Sequence, residues 1–234
     1  MFALLFENKD FIVVCKPISI SVHCDDQVVG FAALVSKQLQ VKLYVVHRLD
    51  KVTSGLMIFA KSSAVAAQFG ALFEAHAIAK YYLALSDKKP RKKQGTVKGD
   101  MQKSRRSSWK LLKSVNNPAI SRFISVSAGA GRRLFLLKPE TGKTHQLRVA
   151  LKSIGSAIIG DPIYGAATTD KSTVDDILVA DRCYLHAWQL AFNFANKEYN
   201  FRSDPDQGVL FLSPELTALL EPWSDPGSIK WSQA

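Results

Sequence analysis

His47-Arg48-Leu49-Asp50-Lys51-Val52-Thr53-Ser54-Gly55 lies between two short apolar runs, residues 43–46 and 56–60. Each run reads as a β-strand. The polar nonapeptide is therefore expected at the edge of a sheet, where its side chains can face a cleft. In that setting Asp50 is a candidate nucleophile or base, and Arg48 a candidate phosphate or base contact. Thr53 and Ser54 would support the backbone. The other reading is a capped turn, in which Asp50 binds neighbouring N–H groups and pairs with Arg48 or Lys51. Residue types and spacing alone leave both open.

Working outward, residues 11–15 form an apolar run closed by Lys16 and Pro17, a strand entering a turn. Val28, Phe31, Ala32, Val35 and Leu39 recur at helical spacing, predicting a helix from about residue 26 with Asp25 or Asp26 as its cap. An alanine-rich helix is expected over 63–77, and strands over 81–85, 123–126 and 134–137, with Gly129 and Gly131 in the last turn. Leu147, Ala150, Leu151 and Ile154 predict an amphipathic helix that Gly155 ends. Arg148 and Lys152 lie four apart and are expected to present charge together on its other face. Residues 185–194 are strand-like, and Ser213-Pro214 signals a helix start before Leu216, Leu219 and Leu220. Strands and helices mix without a regular βαβ beat, which predicts an α+β fold around a mixed, largely antiparallel sheet. Neither linker nor repeat is visible, so residues 1–234 are read as one domain with a basic excursion at about 87–113.

The 234 residues, 47% hydrophobic and 22% charged, suffice for a sizeable core. Cys15, Cys24 and Cys183 form no CxxC pair, and their odd number argues against a disulfide framework. No run of about 18 apolar residues predicts a membrane span. At the N-terminus Phe2, Ala3 and Leu4 precede the charges, the wrong order for a signal peptide, so a cytoplasmic location is expected. Formal net charge is +11, and residues 87–113 hold eleven Lys and Arg against Asp87 and Asp100, a local +9. Such a block is an electrostatic footprint for a polyanion. It lacks the apolar face that membrane binding needs, so nucleic acid is the expected partner.

A second cluster is Thr141-Gly142-Lys143-Thr144-His145-Gln146-Leu147-Arg148. It is not a phosphate-binding P-loop, because the position that requires the first glycine is Leu137. Gln146 and Arg148 suit a base edge or a phosphate, or an ordinary helix surface. The five histidines are scattered without HExxH spacing, and neither GxGxxG nor GxSxG occurs. No metal or cofactor is expected.

The segment 47–55 resembles the HRLDxxTSG signature of the RluA-type RNA pseudouridine synthases at all seven fixed positions. Asp10-Phe11-Ile12-Val13-Val14 with Lys16-Pro17 resembles the family's first strand and turn, and Lys80-Tyr81-Tyr82-Leu83-Ala84 its K-x-Y-x-A segment. Residues 141–148 resemble TGRTHQLR, residues 160–165 the GDxxYG turn, and Leu185-His186-Ala187 a late element, so the likeness spans about residues 7–195. The resemblance implies a mixed, mostly antiparallel sheet in two subdomains, with flanking helices and a central catalytic cleft. It implies isomerisation of uridine in tRNA or large-subunit rRNA without a cofactor. Asp50 becomes the catalytic aspartate, Tyr82 the tyrosine packed on the uracil, and Arg148 the arginine that pairs with the aspartate. Arg48 becomes the residue that replaces the displaced base, and Lys143 and Gln146 become candidate RNA contacts. Lys143 stands where arginine is usual, losing the planar fork, and Ala150 replaces a common histidine. A member without the N-terminal S4 domain is expected, acting as a monomer.

Overall fold

Two stretches without polar alternation, residues 11–16 and 54–60, frame the first part of the fold. The structure, a computed structural model, describes residues 2–25, 28–165 and 180–232. It divides into two compact units, Met1–Tyr81 with His186–Pro205, and Tyr82–Leu185 with Asp206–Ala234.

The first unit contains β1 (Ala3–Glu7), β2 (Phe11–Lys16), α1 (Phe31–Leu39), β3 (Tyr44–Val45), β4 (Ser54–Ala60) and α2 (Ser63–Glu74). It also takes most of β11 (Leu185–Phe194), with β12 (Lys197–Arg202). Every residue of β2 and β4 is buried, which is why neither reads as an alternating strand. β4 lies antiparallel to β2, with Phe11 opposite Ala60 and Lys16 opposite Gly55. On its other side it runs parallel to β11 at Ser54–His186 and Gly55–Ala187. There Gly55 has φ +112°, and a Cβ would stand 2.2 Å from the Ala187 carbonyl oxygen. The last residue of the polar nonapeptide is thus glycine for a steric reason. Ser62 caps α2 by accepting the Val65 N–H at 3.2 Å. That helix lays Phe69 among Phe11, Phe192 and Phe194, stacked on Phe194 at 4.8 Å between ring centroids.

The second unit builds an antiparallel sheet in the order β5 (Ala79–Ser86), β10 (Arg133–Pro139), β9 (Ala119–Ser127), β6 (Gln94–Gly99). β9 alternates buried and half-buried residues, as a strand with one covered face should. Between β6 and β9 a separate hairpin forms from β7 (Met101–Lys103) and β8 (Trp109–Leu111). The helices are α3 (Gln146–Ser153) and α4 (Pro214–Leu220), the latter entered through Ser213 with Pro214 in its first turn.

Four expectations are corrected. First, α1 begins at Phe31, because residues 21–22 fold back and their carbonyls accept the N–H groups of Phe31 and Ala32. Gly30 occupies the cap position, Asp25 instead bridges to Val28, and Asp26 lies outside the described residues. Second, α2 stops at Glu74, since His76 turns left-handed at φ +54° and the Ala77 N–H bonds back to Leu72. Third, residues 94–99 are an edge strand paired with β9, so only the β7–β8 hairpin leaves the sheet. Fourth, Arg148 does not share an exposed face with Lys152. It is 2% exposed and turned inward.

Among the described residues Cys15 and Cys183 are buried cysteines outside any disulfide, and Cys24 is an exposed one. Among the described residues, no helix is long and apolar enough to cross a membrane.

Candidate active site

In the first unit the nonapeptide is an irregular segment that becomes β4. Leu49 is buried, whereas Arg48 is exposed and Asp50 half-buried, so the two polar side chains are turned to the accessible side. Asp50 opens a turn in which its backbone oxygen accepts the Thr53 N–H at 3.0 Å. Thr53 and Ser54 are already inside the core. The turn is held from below by Lys16, whose wholly buried ammonium donates to the carbonyl oxygens of Pro17, Ile20 and Lys51 at 2.7, 3.0 and 3.4 Å.

Two histidines fix the ends of the segment. His47 Nε2 accepts the Ile58 N–H at 2.8 Å, so that nitrogen carries no proton, and the ring packs on Phe73. Burial and the nearby Lys80 ammonium push His47 down to about 3, which keeps it neutral. His186 Nε2 faces the Ser203 carbonyl oxygen at 2.8 Å and must be the protonated nitrogen. Its Nδ1 is hydrogen-bonded with the Ser54 hydroxyl at 2.7 Å. The carboxylate of Asp50 therefore rides on a turn whose flanks are fixed by two hydrogen-bonded histidine rings.

In the second unit the segments 141–148 and 160–165 come together. Arg148 Nε and Nη2 donate to Asp161 Oδ2 and Oδ1 at 2.7 and 2.8 Å, a two-point pair with both side chains buried. Asp161 Oδ1 also accepts the N–H groups of Ile163 and Tyr164. Burial by itself would raise the Asp161 carboxyl. The Arg148 hydrogen bonds and charge, with those two amides, hold it below the ordinary carboxylate value. The Arg148 guanidinium stands 5.1 Å from the Tyr164 ring centroid. The Tyr164 hydroxyl meets His145 Nδ1 at 2.9 Å and accepts the Trp109 N–H at 2.8 Å. Motif spacing did not reveal His145, Asp161 and Tyr164 as one cluster. The available signal was an arginine and an aspartate in two neighbouring motifs.

The remaining sequence candidates fall as follows. Tyr82 is half-buried on β5 opposite Leu137, while Tyr81 points into the core. The Lys143 ammonium donates to Asn117 Oδ1 at 2.9 Å near the surface. Gln146 has a different role from a base contact. Its amide oxygen accepts from Thr141 Oγ1 and the Lys143 N–H, and its nitrogen donates to the Ile120 carbonyl and Ser121 Oγ. All four bonding positions of that amide are filled within the protein. Gln146 ties the start of α3 to the start of β9. Among the described residues no three His, Cys, Asp or Glu side chains gather as a metal site requires.

The family model described as RNA pseudouridylate synthase matches residues 10–153. The chain belongs to the RNA pseudouridylate synthase family. It is 50% identical over 214 residues to an uncharacterized RNA pseudouridine synthase of Haemophilus influenzae, covering 91% of this chain and 92% of that relative. It is 32% identical over 195 residues to ribosomal large subunit pseudouridine synthase D of Nitrosomonas europaea, covering 80% of this chain and 56% of that relative. The chain thus spans little more than half of this second pseudouridine synthase. The solved structure of human RNA pseudouridylate synthase domain containing 4 superposes with a TM-score of 0.72 at 25% identity, covering 92% of this chain and 93% of that one. The mixed α+β architecture with flanking helices is the pseudouridine synthase fold, and both clusters lie wholly or partly in the matched region.

Proposed function

We propose that this RluA-type family member isomerises uridine to pseudouridine in tRNA or rRNA, with Asp50 as the catalytic carboxylate. The observation that carries the reading is the setting of Asp50. It is a half-buried carboxylate on a turn anchored by Leu49, Thr53 and Gly55, beside an exposed Arg48, within the region matched to the family. In the reaction the N1–C1′ bond breaks, the uracil turns, and a C5–C1′ bond forms. The proton leaves C5 and N1 regains one, so nothing is consumed. An ionised Asp50 serves the first step either by attack on the sugar or base or by taking a ribose proton.

The target uridine must leave its stack, at a cost of a few kcal/mol. Arg48 is assigned to fill the vacated place. Tyr82 is assigned the aromatic face for the extruded ring. Arg148, oriented by Asp161, is the third catalytic side chain, and Lys143 is a phosphate contact. The name of the Nitrosomonas relative makes large-subunit rRNA the first substrate to try. The test is tritium release from tRNA and rRNA transcripts labelled at C5 of uridine, with Asp50→Asn in parallel. Release by the native chain alone, with no free uracil, is expected. Free uracil would indicate glycosidic hydrolysis instead, and absence of release from every transcript would refute the assignment.

A further inference from the structure

Four of the eleven Lys and Arg of residues 87–113 lie on the β7–β8 hairpin. At the tip of the β7–β8 hairpin, the Ser104 N–H bonds the Ser108 carbonyl at 2.8 Å and the Ser108 N–H bonds the Arg105 carbonyl at 3.1 Å. Arg106 and Ser107, the two central residues, have φ +52° and +57°. This is the left-handed two-residue turn that matches hairpin twist and that Asn-Gly forms best. Arginine there is a backbone handicap. A handicap held at a tip invites a functional reason for the side chain.

Lys103, Arg105, Arg106 and Lys110 are all exposed on this hairpin. Among the described residues, none of the four is within ion-pair distance of a carboxylate. The nearest acid in sequence, Asp100, is spent at the hairpin's foot. Its carboxylate accepts the Asn117 and Asn116 N–H groups at 2.8 and 3.1 Å, while its backbone bonds Leu112 and Ser114. The hairpin is tied a second time at the loop end of β8, where the Trp109 N–H meets the Tyr164 hydroxyl inside the cluster that holds Arg148. An arm held at its base by Asp100 and again at Trp109, with an uncompensated cationic tip beyond, is built to meet a chain of phosphates.

We propose that the β7–β8 hairpin is a phosphate-backbone clamp for the RNA substrate, contacting it through Lys103, Arg105, Arg106 and Lys110. The inference rests on RNA being the substrate and names the surface that grips it. Each phosphate contact adds a slope of about 0.7 to 0.9 to the dependence of log affinity on log salt. At physiological salt that corresponds to roughly 4- to 5-fold in affinity per contact.

The experiment is fluorescence anisotropy of a labelled RNA hairpin titrated with the full chain at several salt concentrations. Arg106→Asn with Ser107→Gly improves the turn while removing one charge, so it should melt no lower than the native chain yet bind more weakly by one contact. Arg105→Gln with Lys110→Gln should reduce the slope by about 1.4 to 1.8. A control removes Lys9 and Lys37, two exposed lysines of the other unit, by Gln substitution and should leave the slope nearly unchanged. Native affinity in the turn variant would overturn the proposal. An equal loss in the control would overturn it too, as would a loss confined to phosphatidylserine vesicles. Because binding is read without turnover, a native chain that binds RNA through the hairpin but releases no tritium would sink the proposed reaction and leave this inference standing.

Discussion

Replacing Asp161 by alanine should destabilise the second unit by about 3–5 kcal/mol, the usual cost of stranding one member of a buried ion pair. The structure supports the upper part of that range. The Arg148 and Asp161 side chains are 3% and 0% exposed, and the carboxylate receives two guanidinium N–H groups and two backbone N–H groups. Each buried donor left without an acceptor costs about 1–3 kcal/mol, reduced where water enters the space. Asp161→Asn keeps an acceptor and loses the charge, so it should cost less than the alanine variant. Arg148→Met with Asp161→Leu should be milder than Asp161→Ala, because it strands no charge. Asp161 has a depressed carboxyl in the fold. Its stabilising contribution is therefore present above the ordinary carboxylate value and lost as pH falls through the depressed one, and Asp161→Asn should flatten that acid limb. Urea unfolding followed by circular dichroism at several pH values measures all of this. An Asp161→Ala variant within about 1 kcal/mol of native would refute the reading of this pair as a buried, mutually dependent unit.

Three further outcomes follow from the same geometry. Gly55→Ala forces a methyl group to 2.2 Å from the Ala187 oxygen at a positive φ, so it should cost more than about 3 kcal/mol or prevent folding. A soluble variant of near-native stability in denaturant would contradict this. His47 is held neutral with its pKa pushed down to about 3, so native stability should fall as pH drops from about 6.5 toward 3. His47→Gln should show a shallower fall in pH-dependent thermal melting, and an identical profile would count against the assignment. Tyr164→Phe deletes the acceptor of the Trp109 N–H, so hydrogen exchange should quicken at that amide and along β7–β8. Unchanged exchange there would show that the hairpin is held by other means.

The parts legible in the sequence were those where one local signal dominates. Residues 185–194 are strand from end to end, and the apolar spacing of 147–154 with Gly155 marked α3. Ser213-Pro214 marked the entry to α4. The misses share a cause, which is tertiary context. Residues 94–99 carry Gly95, Gly99 and Lys98 and look like a loop, yet they pair along β9 because an edge strand tolerates such residues on its open side. Residues 26–30 have helical spacing, but the chain at 21–22 occupies the first-turn amides and delays the helix. Spacing put Arg148 and Lys152 on one face without saying which face is buried. The partnership with Asp161, thirteen residues onward, becomes visible only when the turn at 160–165 folds back. The setting of Asp50 was open on spacing alone, and the burial of Leu49 between Arg48 and Asp50 identifies its accessible side.

The three thiols divide the molecule in a way that is useful at the bench. Cys24 is open to reagents in the native state, whereas Cys15 lies within β2 of the first unit and Cys183 within the second. Once Cys24 is blocked, pulsed alkylation during gradual denaturation becomes a two-channel clock. The order in which the masses of the Cys15 and Cys183 peptides change reports which unit opens first.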